Sequence, residues 1–110
     1  MTETVIFEII LHAGNARAEA YDALAAARAG DFAKAAGHLV RAEEEIGVAH
    51  RAQADTIQRE AAGEKQDITL LFVHAQDHLM TAVAEKNLIT HMIEQEKTIR
   101  DLAARLEAAR

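Results

Sequence analysis

Only two places interrupt the helical pattern of this chain, Ala29-Gly30-Asp31-Phe32 and Gly63-Glu64-Lys65-Gln66-Asp67. Proline, the strongest breaker of a helix interior, does not occur in its 110 residues. Gly30 and Gly63 suit the left-handed position that ends a helix, and Asp31 and Asp67 are good N-caps for the next one. The punctuation predicts a single all-α domain over residues 1–110, with three long antiparallel helices at about 3–29, 32–62 and 68–107.

The first helix places Ile6, Ile9, Ala13, Ala16, Ala20, Leu24 and Ala27 on one stripe. The second does so with Phe32, Ala35, Ala36, Leu39, Ala42, Ile46, Ala49 and Ile57. Both read as amphipathic helices of a bundle. Half the residues are hydrophobic, many of them Ala, so helices can approach closely around a thin core. The third helix differs. Leu70, Leu71, Phe72, Val73, Ala75, Leu79, Met80, Ala82, Val83 and Ala84 cover more than one of its faces. Its expected length, roughly 60 Å, exceeds what a compact domain with a radius of gyration near ~13 Å can cover. A second seam, Val73, Asp77, Met80, Ala84, Asn87 and His91, steps like a coiled-coil line. Self-association through this helix follows, with Arg100–Arg110 as a solvated extension.

The formal net charge of −6 argues against nucleic acid as a partner. No run approaches the ~18 apolar residues of a membrane span, and Met1-Thr-Glu-Thr-Val lacks the pattern of a signal peptide. A soluble cytoplasmic protein is expected. Without cysteine there is no thiolate nucleophile and no Cys-based zinc site.

The chemistry concentrates in Leu70–Met80, where His74, Asp77 and His78 share one turn of an apolar helix. Such groups are costly to bury without partners. A neutral imidazole is a competent nucleophile near pH 7 and can accept a phosphoryl group. No glycine-rich phosphate cradle is present, so phosphate would have to come from another protein. Two other readings of the turn exist. His-x-x-Asp-His is one methylene from an inverted zinc-protease signature, with His74 and His78 as ligands and Asp77 as base. It is also compatible with a polar layer in a purely structural helical oligomer. His12, His38, His50 and His91 show no partner constellation. Gly14, inside a helix, is expected to allow close approach to His74, and Glu43-Glu44-Glu45 to be a solvated face.

The segment Leu70-Leu71-Phe72-Val73-His74-Ala75-Gln76-Asp77-His78-Leu79-Met80-Thr81 closely resembles the active-site helix of a known family. This is the IIA component of the lactose/cellobiose (N,N′-diacetylchitobiose) branch of the phosphoenolpyruvate-dependent sugar phosphotransferase system. Ile9–Arg17, Gly30-Asp31-Phe32 and Glu60–Glu64 share the likeness, which spans about residues 3–100. The resemblance implies a homotrimer and a phosphotransferase component acting through a phosphohistidine at His74; His78, one turn on, and Gln76 are expected to support it. It implies Asp77, one from each subunit, as an axial metal ligand. Phosphate would arrive from HPr and leave to a cysteine of the cognate IIB component, so that contact with the membrane is only indirect, through the transporter. Three carboxylates meeting on an axis would repel, and oxygen ligands alone favour Mg²⁺ or another hard divalent cation. Asp77 is also expected to lean back towards His74, there to orient the ring or, as an anion, to discourage a second negative charge from lingering and so keep the phosphoryl group transferable. Departures from the family pattern are Ala18-Glu19, the small and polar Ala84-Glu85-Lys86, and the longer tail.

Overall fold

The computed structural model describes residues 2–110; Met1 lies outside it. Three helices follow one another, α1 (Glu3–Arg28), α2 (Phe32–Ala61) and α3 (Leu70–Ala108). Each start is capped by a side chain. Thr2 accepts from the Val5 N–H, Asp31 from Lys34 and Thr69 from Phe72. Gly30 and Gly63 take positive φ, +86° and +100°, as the helix-terminating position requires. One boundary differs from expectation. Thr69, not Asp67, caps α3, because the β-branched pair Ile68-Thr69 stays out of the helix and the extended Thr69 backbone sets its hydroxyl over the first turn.

α1 lies at the centre and packs against both other helices, whereas α2 and α3 meet only sparsely. Near the α1 N-terminus, Ile6, Ile9, Phe72 and Leu79 bury together with Ala13, Ala49, Ala75 and Ala82. Towards its C-terminus the core is almost all alanine, closed by Ile89 and Ile93. The stripe expected on α2 is too wide. Ala36 and Ile57 are exposed, because α2 is covered mainly on its α1 side. Ile57 instead lines an open groove between α2 and α3, together with Gln53, Ala54, Leu79, Met80 and Val83.

Polar pairs fix the register. His12 meets Glu45 and, seven residues on, Glu19 meets His38, seven residues back, so α1 and α2 run antiparallel. α1 and α3 run parallel. Arg17 reaches Thr81 and Glu85, and the Arg100 guanidinium donates to the Arg28 carbonyl at 2.6 Å. His12 and His38 therefore do have partners, hidden in the sequence by the distance between helices. The Glu43–Glu45 run is not merely solvated either: Glu43 pairs with Lys86 and Glu45 with His12. Arg41 also donates to Glu19, and the His38 hydrogen bond, aided by this guanidinium, holds the Glu19 carboxyl below the usual carboxylate range.

α3 has 39 residues, about 58 Å, and the chain measures 68 × 20 × 20 Å with a radius of gyration of 18.3 Å. It overhangs its bundle as its length demands, and residues 101–110 are exposed throughout. Val73, Met80, Leu88, Met92, Ile99, Leu102 and Leu106 are also exposed, along one slowly turning line. Past Ala84 this line runs through Leu88 and Met92, one residue beyond the expected Asn87 and His91. Steps of four, four and three residues follow a nearly straight helix better than a strict heptad does.

A Cβ built on Gly14 meets no atom within 4 Å, so the expected close approach to His74 is not made. Gly14→Ala should therefore raise stability by about 0.5–1 kcal/mol, the usual gain at an unconstrained helix interior. An unchanged or lower urea midpoint would show that the missing Cβ matters to another contact. Glu19 gives a pH test. Its lowered pKa stabilises the fold above the ordinary Glu value of about 4.3, and that contribution is lost as pH falls through the folded value. Glu19→Gln should be less stable than the native chain near pH 6, with the gap closing below about pH 4. A gap independent of pH in urea titrations would contradict this.

Candidate functional site

The first turns of α3 direct Phe72, Ala75, Leu79 and Ala82 into the core. Helical spacing then turns Val73, His74, Asp77 and Met80 outward, all four exposed, and leaves Gln76, His78 and Thr81 half-buried at the edge. The apolar helix thus does not bury His74 and Asp77 within one chain. Their rings place His74 and His78 edge to face, with centroids 5.9 Å apart and planes at 71°.

Among the described residues, the side chains of His74, Gln76 and Asp77 make no hydrogen bond or ion pair. The expected orientation of His74 by Asp77 is absent; Asp77 contributes only its backbone carbonyl, which accepts from the Thr81 hydroxyl at 2.9 Å. The group held from outside is His78. Arg17 of α1 donates through Nη1 to its Nδ1 at 3.4 Å, through Nη2 to Thr81 Oγ1, and through Nε to Glu85 Oε2 at 2.7 Å. Thr81 in turn donates its hydroxyl to the carbonyls of Asp77 and His78. Sequence reasoning missed this fork. His78, Thr81 and Glu85 are three and four residues apart and form a legible polar stripe. Arg17, more than sixty residues away, is brought to it only by packing.

His74, Asp77 and His78 do not converge on a common metal position with a further ligand. Among the described residues the one grouping of metal-ligating atoms is Glu19, Asp22 and His38. Arg41 donates to Glu19, so that grouping already holds a cation of its own. A zinc hydrolase would need a third protein ligand beside the two histidines and an open position, which this turn does not assemble. Among the described residues no helix is long and apolar enough to cross a membrane.

Comparison with known proteins agrees with the motif. The family model "PTS system, Lactose/Cellobiose specific IIA subunit" matches residues 4–97. The chain is 51% identical over 92 residues to the lichenan-specific phosphotransferase enzyme IIA component of Bacillus subtilis, covering 84% of each chain. It superposes on the cellobiose-specific enzyme IIA of Bacillus anthracis with a TM-score of 0.87 at 44% identity, covering 92% of this chain and 94% of that one. It superposes also on the IIA chain of the IIA(chitobiose)–HPr complex of the Escherichia coli phosphotransferase system, with a TM-score of 0.75 at 34% identity, covering 89% and 95%. With the helices, the histidine turn and these likenesses all in one order along the sequence, the chain belongs to the lactose/cellobiose-specific IIA family of the phosphotransferase system.

Proposed function

We propose that this chain is a phosphocarrier that accepts a phosphoryl group from phospho-HPr on His74 and passes it to a cysteine of its cognate IIB component. The observation that carries the reading is His74 itself. Its ring is exposed, without a hydrogen bond among the described residues, beside a second imidazole, and set in the segment shared with the IIA family. A ring nitrogen of His74 bonds to phosphorus as the bond from phosphorus to HPr breaks, and a proton passes back to HPr. In the second step a thiolate of IIB takes the phosphorus, the P–N bond breaks, and His74 regains its proton. Such transfers ask mainly for positioning, and an exposed ring on a rigid helix can face both partners in turn. The solved IIA(chitobiose)–HPr complex supports HPr as donor. The carrier contacts proteins and phosphate only, consistent with relatives named for lichenan, lactose and cellobiose. It would work in the cytoplasm, meeting the membrane only through its transporter.

His74→Ala should abolish labelling by phosphoenolpyruvate, enzyme I and HPr. His78→Ala should keep the label but pass it on roughly 10²-fold more slowly, the scale of one lost donor to a developing charge. Label mapped to His78, or full labelling of His74→Ala, would overturn the assignment.

The working form is a homotrimer built on α3. Its support is the exposed apolar line of α3 and the open groove beside Met80, where the buried Gln53 Oε1 lacks a donor among the described residues. Asp77 lies on that line with an unengaged carboxylate. Three copies would offer an oxygen-only cage, which fits Mg²⁺ or a similar hard cation. Sedimentation equilibrium should give three times the 12.0 kDa chain mass. In Asp77→Leu the trimer should be at least as stable and indifferent to divalent cations. A micromolar monomer would remove the assembly, and a large loss of stability in Asp77→Leu would remove the axial role.

A further inference from the structure

The Arg17 fork is larger than packing requires. One guanidinium, half-buried between α1 and α3, spends all three nitrogens on Glu85, Thr81 and His78. Planar forks of this kind fix geometry as well as charge. Because a guanidinium has no acceptor, its contact with His78 Nδ1 makes that nitrogen the acceptor. The His78 proton then resides on Nε2, across the ring from Arg17.

We propose that Arg17 is a positioning residue for phosphoryl transfer, acting through His78: it fixes the ring and the proton so that Nε2–H is a donor for a phosphoryl oxygen on His74. This rests on the phosphocarrier reading. His78 lies 5.9 Å from His74 between centroids, close enough for a group attached to one ring to meet the edge of the other. Glu85 and Thr81 hold the guanidinium, and Thr81 ties it to the backbone of the histidine turn. His74, the group that must change partners, stays free while its neighbour is held.

A double-mutant cycle tests this. The native chain, Arg17→Met, His78→Ala and the double variant are loaded through phosphoenolpyruvate, enzyme I and HPr, and release of phosphate to IIB is timed. Arg17→Met should still load on His74 but transfer about tenfold more slowly, and in the His78→Ala background it should cost nothing further. Costs that multiply, or an Arg17→Met chain that transfers normally, would overturn the role. Arg17→Lys, which keeps the charge without the fork, should fold and transfer as slowly as Arg17→Met; full rescue by Lys would show that charge alone matters. The ring ¹⁵N shifts of unphosphorylated His78 supply a second readout. Its Nδ1 should carry the signature of a hydrogen-bonded acceptor and lose it in both Arg17 variants; a shift unmoved by either variant would overturn the contact. A native chain that takes no label overturns the carrier reading instead, while the ¹⁵N shift still decides whether Arg17 holds His78.

Discussion

One alanine-rich helix organises this molecule. α1 buries Ala13, Ala16, Ala20, Ala23, Ala26 and Ala27 along a single line, so both neighbours can come close to it. A core of this kind gains little from any one side chain, since each buried methyl contributes only about 0.8 kcal/mol. It works by covering length. Large side chains concentrate at one end, where Ile6, Ile9, Phe72 and Leu79 close the bundle beneath the histidine turn. The helix that carries His74 is therefore most firmly seated beneath the histidine turn.

The same arrangement leaves faces uncovered. With α1 in the middle, α3 buries one side and presents the other, and that other side holds His74, Asp77, Val73 and Met80. Exposure of His74 and exposure of the apolar seam are thus one structural fact. A fourth helix over α3 would give a better-covered monomer and hide the imidazole.

The helices, their glycine terminators and the core face of α1 were legible from periodicity and two breaks, because those are local properties of the chain. His74, Asp77 and His78 stood out because polar groups in an apolar run are conspicuous. What sequence could not supply was the pairing across helices. His12 with Glu45, Glu19 with His38 and Arg17 with His78 join residues that nothing local connects. Gly14 misled for the converse reason: a glycine in a helix suggests close approach, yet here it faces open space. The cap of α3 moved from Asp67 to Thr69 because both can cap and the β-branched residues between them decided. Phosphohistidine and metal roles came from the family likeness, since an imidazole on an exposed face has the same geometry whether or not it carries phosphate.

The period of the exposed line on α3 links its two ends. From Val73 through Ala84 and Gln95 to Leu106 the line repeats every eleven residues, and at 100° per residue each repeat drifts by only about 20°. A strict seven-residue repeat would drift as far in fewer residues and in the opposite sense, forcing a left-handed supercoil. Helices meeting along the eleven-residue line can stay almost straight. The family match stops at residue 97, but Ile99, Leu102 and Leu106 keep the same phase beyond it. The tail is thus a further stretch of the surface on which Asp77 lies. Arg100 anchors its root by donating to the Arg28 carbonyl at the end of α1. α3 runs on unbroken to Ala108, so the line of apolar side chains reaches its last turns.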